Sequence, residues 1–263
     1  MPKIDRLSIS DGAFRRTEPD RPLSRKQREI REREGRILDV ARDLMAAEGY
    51  GGLSMDRIAE AIAYSKGTVY QHFASKEDVM LELSLRAIAA WNRHYDLALQ
   101  FRGSSRERLL AIHLGHDLAA HLHPVEYECI YAVRTAGIRE KVPPERRAEQ
   151  AAALERLFER SASVVAEGVR DGDLVLDDGA TPQSLIYGFW SLHYGEITLE
   201  TYDIQYRRMG VRDQRRTLRR TLQAIMDGLG WRPLSSEHDY VAVEKRILRE
   251  VFRAEQARLR RKR

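Results

Sequence analysis

A chain of 263 residues, 43% of them hydrophobic, is long enough for one or two domains around a substantial core. The formal charge of +5 is modest, so its distribution carries more meaning than its size. Residues 1–36 hold eleven Lys/Arg against seven Asp/Glu and residues 234–263 hold nine against five, which leaves the middle of the chain net negative. Ends enriched in positive charge suit an approach to a polyanion, although for the carboxyl end a solvated tail is the stronger expectation. A single cysteine, Cys129, excludes an intramolecular disulfide and suits a reducing compartment. No stretch approaches the apolar length of a membrane span, and the amino end lacks the apolar core of a signal peptide. A cytoplasmic protein without a membrane partner is expected.

In chain order, residues 1–24 contain Pro2, Pro19 and Pro22 with little periodicity and read as a disordered basic arm. Arg25-Lys26, Arg28, Arg31 and Arg33, interleaved with Glu29, Glu32 and Glu34, lead into the first helix. Such a stretch either follows a minor groove or extends the helix into solvent. Ile37, Val40, Ala41, Leu44 and Met45 recur at helical spacing over 37–48, with Gly49 as the stop. Ser54 is a cap candidate for the next helix, in which Met55, Ile58, Ala59 and Ile62 form one face. Ala63-Tyr64 make a short turn, a second short helix covers 66–73, and Ser75 with Asp78 gives a capping-box-like start to a third.

Two short helices across a tight turn, with a small polar outer face, are what a major groove accepts. On 66–73, Val69 and Phe73 point one face inward and leave Lys66, Gly67, Thr68 and Gln71 on the other. Gly67 costs a helix about 1 kcal/mol relative to Ala, which makes sense where a backbone approaches DNA closely. Lys66 can donate to guanine edges, Gln71 can pair with adenine, and Thr68 can touch a thymine methyl or a phosphate. Tyr70, His72 and Lys76 are placed to hold phosphates.

From 36 to about 85 the chain resembles the TetR family of bacterial transcriptional regulators, most specifically in AAEGYGGLSMDRIAEAI, SKGTVYQHF and the following SKED. The resemblance implies that 66–73 is the recognition helix. It places base contacts at Lys66, Gly67, Thr68 and Gln71 and phosphate contacts at Ser54, Tyr70, His72 and Lys76. It also implies a helical carboxyl-terminal domain that binds a small effector and dimerises through its last two long helices. Two positions depart from the family pattern: Ala63 stands where Gly is frequent in the turn, and Tyr64 where a smaller aliphatic is usual.

Beyond this module every segment reads as helix: 76–101, 104–123 with a Ser104/Glu107 capping box, 125–142, 145–170 opened by Pro144, 183–202, 207–229, and a basic helix over 236–263. The expectation is an all-α protein: a helix-turn-helix DNA-binding domain over 25–80, an effector-binding and dimerisation bundle over 81–233, and a basic helical extension over 234–263. Leu185, Phe189 and Leu192, with Leu218, Leu222, Ile225 and Leu229, supply apolar faces for a homodimer seam or for the chain's own core.

Trp91, Tyr95, His116, Tyr127, Tyr131, Arg134, Trp190 and Tyr194 are the candidate lining of an effector pocket, suited to an aromatic or amphipathic ligand with a negative group. An amphipathic core margin explains the same aromatics equally well. His113 and His116, three apart, could share a metal ion, but His123 lies about 10 Å beyond His116 along the helix, so no metal site and no cofactor is expected. Cys129 reads as a small buried hydrophobe, and His193 with Glu196 as an interface hydrogen bond. The reading is of a homodimeric repressor that binds a palindromic operator in double-stranded DNA and is released by a small-molecule effector. The alternatives are an effector-independent or architectural DNA-binding protein and a metal-dependent enzyme built on the histidine-rich helices. No nucleophile–base set or phosphate loop favours an enzyme.

Overall fold

The computed structural model describes residues 24–201 and 206–262, and every regular element among them is helical. Apart from Ser24, the arm expected over 1–24 lies outside the described residues. The first helix, α1 (Arg25–Gly52), begins twelve residues before the apolar stripe does. Ser24 and Gln27 form a reciprocal capping box (Gln27 N to Ser24 Oγ 3.2 Å; Ser24 N to Gln27 Oε1 2.9 Å), so the charged stretch is a helical extension. The helix kinks at Gly49, the expected stop, where φ is 66°.

Three short steps follow: α2 (Met55–Ala61), α3 (Lys66–His72) and the long α4 (Lys76–Leu99). Ile37, Ala41, Leu53, Ile58, Val69, Phe73 and the first turns of α4 close a small core. The larger bundle adds α5 (Ser105–Leu122), α6 (Pro124–Ala132), α7 (Ala136–Arg139), α8 (Pro144–Arg170), α9 (Pro182–Thr201), α10 (Gln214–Gly228), α11 (Tyr240–Glu250) and α12 (Arg253–Lys262). Its core runs from Ile88, Trp91 and Tyr95 through Leu118, Tyr127, Leu157 and Trp231 to Phe252. α6 contributes to both cores: Tyr127 and Ile130 to the larger one, Cys129 and Val133 to the smaller.

Two expected helices are broken. The segment expected as one helix over 125–142 divides at Thr135, whose backbone is extended (ψ 144°) and whose Oγ1 bonds the carbonyl of Ala132 at 2.8 Å. A side chain that satisfies a carbonyl three residues back competes with helix propagation. The helix expected over 236–263 divides at Val251-Phe252, and it is not a solvated tail. Phe252 is fully buried and stacks on His94 (centroids 6.0 Å), while Tyr240, Val243 and Ile247 join the main core. The positive charge of α12 faces outward, except where Lys262 Nζ bonds the carbonyl of Leu122 at 2.5 Å.

One side chain ties this extension down. Arg106 on α5 is fully buried. It donates to the carbonyls of Trp231 (2.5 Å), Pro233 (3.0 Å) and Gln223 (3.3 Å), donates to Gln223 Oε1 (2.6 Å), and pairs with Asp227 (2.8 Å). The Tyr240 ring covers its guanidinium at 4.5 Å. A guanidinium is the one cation whose fork of donors can saturate so many acceptors at once. Removing one partner of a buried pair costs about 3–5 kcal/mol, and Asp227, which keeps access to water, sets the lower end. Arg106→Met is therefore expected to lose about 3 kcal/mol of stability in chemical denaturation. Proteolysis is expected to cut first between α10 and α11.

Candidate nucleic-acid interface and interior cavity

Three serines start the three helices that matter here. Ser54 Oγ accepts from Arg57 N (3.2 Å), Ser65 Oγ from Thr68 N (3.1 Å), and Ser75 Oγ from Asp78 N (3.2 Å). Between α2 and α3 the chain turns at Ala63, which takes a left-handed φ of 55°. Tyr64 N bonds the carbonyl of Ala59 (3.0 Å) and Ala63 N that of Glu60 (3.2 Å), the paired bonds of a Schellman closure. Val69 and Phe73 are buried, which orients α3 so that Lys66, Gly67, Tyr70 and Gln71 stand in solvent. A Cβ added at Gly67 would meet nothing closer than Ser65 Oγ at 3.8 Å. Nothing inside the chain requires that glycine.

The eight expected DNA contacts differ in how free they are. Tyr70 and Gln71 are exposed. Lys66 Nζ is held by Asp56 at 2.7 Å, an exposed pair that salt and a competing phosphate can open. Thr68 is half-buried, with its hydroxyl 2.8 Å from Ser65 Oγ. Ser54 spends its hydroxyl as the α2 cap. Lys76 Nζ sits over the Tyr50 ring at 3.9 Å, while the Tyr50 hydroxyl donates to Glu77 (2.7 Å). His72 turns toward Glu34 of α1 (3.4 Å) and is mostly covered. Sequence reasoning misses Asp56, Glu34 and the Arg57–Glu48 pair (2.6 Å) because their partners lie on different helices, at separations that no helical spacing marks.

The aromatic candidates do gather. Trp91 and Tyr95 are buried, with His116 (4.1 Å between centroids), Tyr127 (5.2 Å) and Trp190 (6.2 Å) around Trp91. The chain of rings continues through Tyr131 to Tyr194. Of these, Tyr95, His116 and Trp190 line an interior cavity of about 40 Å³, together with Ile112, His113, Phe189 and His193 among others. Arg134 does not reach it: the helix breaks just before that residue, which is left exposed. The expected pairing of Arg134 with an anionic ligand therefore has no geometric basis. Burial holds His113 and His116 well below the ordinary imidazole value and pushes Tyr95 up to about 12, so these walls are uncharged at neutral pH.

His193 is the neighbour that sequence reasoning misplaces. Its ring lies 3.9 Å from that of His113 and 4.3 Å from that of His116, the latter stacked at 13°. It is 4% exposed, within its own subunit, and its Nδ1 stands 3.6 Å from Glu196, too far for a hydrogen bond. Stacked rings do not converge their nitrogens on one point, and no group of three potential ligands suited to a metal occurs among the described residues. His123 stands apart at the start of α6, 3.7 Å from Glu126. Cys129 is fully buried 3.9 Å from Met45 Sδ, and its thiol is pushed up by that burial.

Residues 37–83 match the family model for bacterial regulatory proteins of the tetR family. The HTH-type transcriptional regulator TcmR of Streptomyces glaucescens is 32% identical over 103 residues, 39% of this chain and 43% of that protein. The HTH-type transcriptional activator FasR of Mycolicibacterium smegmatis is 34% identical over 80 residues, 30% of this chain and 36% of that protein. The chain thus spans less than half the length of either relative. A crystal structure of a tetR-family regulatory protein from Rhodococcus RHA1 superposes with a TM-score of 0.58 at 20% identity, over 75% of this chain and 97% of that one. Over residues 37–83 the chain is thus similar to the amino-terminal module of the TetR family.

Both departures from the TetR pattern acquire a physical account. Tyr64 reaches back with its hydroxyl to Arg36 of α1 (3.4 Å), which a smaller aliphatic cannot do. Ala63 occupies the left-handed turn that its paired hydrogen bonds require, at a steric cost that glycine does not carry. Ala63→Gly relieves about 1–2 kcal/mol of strain and gives back about 0.4–1 kcal/mol in unfolded-chain entropy. The expected outcome is a higher melting temperature, read by calorimetry, with the helical content unchanged.

Proposed function

We propose that the protein is a DNA-binding transcriptional regulator that acts as a homodimer on a palindromic operator and is released by a small-molecule effector, hence a repressor. The observation that carries the DNA-binding part is the outward face of α3. It exposes a glycine that the fold does not need, flanked by Lys66, Tyr70 and Gln71. Base contacts fall to Lys66, Gly67, Thr68 and Gln71, and phosphate contacts to Ser54, Tyr70, Lys76 and, once Glu34 yields, His72. The module over 25–80, the bundle over 81–233 and the extension over 234–263 are the functional divisions of this reading, with α6 serving both cores.

Dimerisation is supported by what α9 and α10 leave uncovered. The anticipated seam is partly turned inward: Leu222 is buried, and Leu185, Phe189, Leu192, Leu218 and Leu229 lean on the main core. Of that seam Ile225 stays on the outward face, which also carries Tyr187 and Tyr194 with Gly188 and Ser191 on α9, and Ala224 and Gly228 on α10. A Cβ at Gly188 or Gly228 would meet nothing within 4 Å among the described residues, so a partner helix can approach closely there. Two copies place two recognition helices on successive half-sites, which one short helix needs for both affinity and specificity.

Effector control is supported by continuity of packing. His116 faces Tyr127 of α6 (Nε2 to Oη 3.3 Å), and two residues on, Cys129 touches Met45 of α1. A ligand that favours one setting of α6 and α4 shifts the spacing of the recognition helices by its difference in affinity for the two settings. The small cavity volume favours the effector-independent alternative, and the ligand titration described below decides between them. FasR is named an activator, so a reporter assay is to be read in both directions.

Two measurements test this reading on duplexes selected from a random pool. Gly67→Leu is expected to melt no lower than the parent yet to bind the selected duplex at least tenfold more weakly, about 1.4 kcal/mol. Lys66→Ala is expected to relax preference at a single base position by about 1–3 kcal/mol. Full affinity in both variants contradicts the interface. Ile225→Glu is expected to yield monomers in sedimentation and to lose cooperative binding to the palindrome while retaining weak half-site binding; a dimer that persists contradicts the α9–α10 surface.

A further inference from the structure

The cavity beside the stacked imidazoles has walls specific enough to name what fits it, and the inference rests on the effector reading above. Its lining is apolar and aromatic (Leu109, Ile112, Phe189, Trp190) except at the histidines and at the hydroxyls of Tyr95 and Ser161, the latter already donating to the carbonyl of Leu157. His193 is 4% exposed, and neither of its ring nitrogens has a hydrogen-bond partner. A buried polar atom left unpaired costs stability, and such atoms are rare enough in folded proteins to require a reason. Among the described residues no Lys, Arg, Asp or Glu lines the cavity itself, and the Glu196 carboxylate, 3.6 Å from His193 Nδ1, lies outside its lining. A carboxylate or an ammonium placed there would lose its hydration without gaining a counter-charge. A hydroxyl loses far less and can answer either nitrogen, accepting from an imidazole N–H or donating to a bare ring nitrogen.

We infer that this site binds an uncharged, flat aromatic molecule bearing a hydroxyl group, with His193 as its polar anchor and the Tyr95, Phe189 and Trp190 rings as its walls. A cavity of about 40 Å³ does not admit such a body at rest. A cavity of about 150 Å³ is what takes up benzene. The wall that can yield is α9. Ile186, Phe189, Trp190 and His193 occupy one face of it at helical spacing, and α9 packs chiefly on α8. The opposite face of the same helix carries Tyr187, Gly188, Ser191 and Tyr194, the proposed dimer surface. Entry of the ligand displaces α9 and with it the two-fold contact, so binding and the separation of the recognition helices are coupled through one element. His193 then has a role that explains its cost: its ring nitrogens, which no group of the described residues hydrogen-bonds, gain a hydrogen bond when the ligand is present.

The test is titration calorimetry of the full chain with 2-naphthol, 2-methylnaphthalene and 2-naphthoate, three probes of nearly one shape that differ in the polar group. The parent is expected to bind 2-naphthol at least about tenfold more tightly than either analogue, since a site built to hydrogen-bond a hydroxyl rejects ligands that lack it. His193→Leu is expected to abolish that preference while melting at the same temperature or higher, because an apolar replacement removes the unpaired nitrogens. His193→Gln, which keeps a donor and an acceptor, is expected to retain part of the preference and serves if the leucine variant does not fold. Tightest binding of 2-naphthoate, equal binding of all three, binding of none, or an unaltered preference in His193→Leu overturns the assignment. Duplex release is followed in parallel by electrophoretic shift. DNA binding without any naphthol preference overturns the ligand class alone. A naphthol preference without an effect on bound duplex leaves the ligand class standing and overturns effector release.

Discussion

The arrangement depends on α4 being a single uninterrupted helix whose two halves are buried in different cores. Val79, Met80, Leu81 and Leu83 close the helix-turn-helix, whereas Ile88, Trp91, Tyr95 and Ala98 belong to the bundle. Twenty-four residues at 1.5 Å each make a rod of about 36 Å, and the sequence places neither Gly nor Pro within it. Its amino end is also tied laterally: Glu77 pairs with Lys141 (3.3 Å), and Asp78 and Glu82 both pair with Arg146 at the start of α8. A helix pinned in this way cannot bend to absorb a change at one end. On the proposed effector reading, displacement in the bundle would reach the DNA-binding module through this helix, which is the requirement for coupling between a ligand and an operator.

The carboxyl-terminal extension acquires its purpose from α5. Leu109, Leu110, Ile112, Leu114, Leu118 and Leu122 are buried on that helix, and so are Arg106 and His116. A helix covered on every side cannot show a clean amphipathic stripe. α4 and α8 cover much of α5, α11 and α12 cover another side, and His193 of α9 stacks over His113 and His116. Gly115 is where the cover comes closest, since a Cβ there would stand 2.9 Å from the Phe252 ring. The extension is therefore part of the bundle core, fastened by the Arg106 cluster, and its surplus of arginines is the solvated side of a docked hairpin.

How much of this was legible in the sequence follows from how local each signal is. The helix-turn-helix, its serine caps and its buried Val69 and Phe73 could all be read, because each depends on residues within a turn or two of one another. The Ser104/Glu107 capping box formed as spelled, with bonds of 2.9 and 3.3 Å. The gathering of Trp91, Tyr95, Tyr127 and Trp190 could be read in outline, because large aromatics on inward faces meet in any small bundle. The break at Thr135 and the docking of Phe252 could not. The first is a choice between two nearly equal hydrogen bonds for one carbonyl, and the second depends on a groove made by helices more than a hundred residues earlier in the chain. The partners of Lys66 and His72 were hidden for the same reason. A salt bridge between helices leaves no periodicity behind.

Three places in the chain break a local rule that its neighbours obey: an alanine in a left-handed turn, a glycine in an exposed helix that has room for a side chain, and a buried histidine with both nitrogens unpaired. Natural sequences concentrate such inconsistencies where function opposes stability. The three are not equivalent, however. Ala63 is explained by the chain itself: its closing hydrogen bonds form, glycine would do the same work at lower cost, and no partner need be invoked. For Gly67 and His193 the described residues supply no such account: a Cβ at the first would meet nothing nearer than 3.8 Å, and the second makes no hydrogen bond, with Glu196 standing off at 3.6 Å. On the readings proposed above, each becomes consistent when an external molecule is added, a phosphodiester backbone in one case and a small polar group in the other. Gly67 lies on the outer face of the module whose core holds the first turns of α4, and His193 lies beside the bundle core that holds the rest of that helix. The inconsistencies therefore mark both ends of the one rigid element that can relate them.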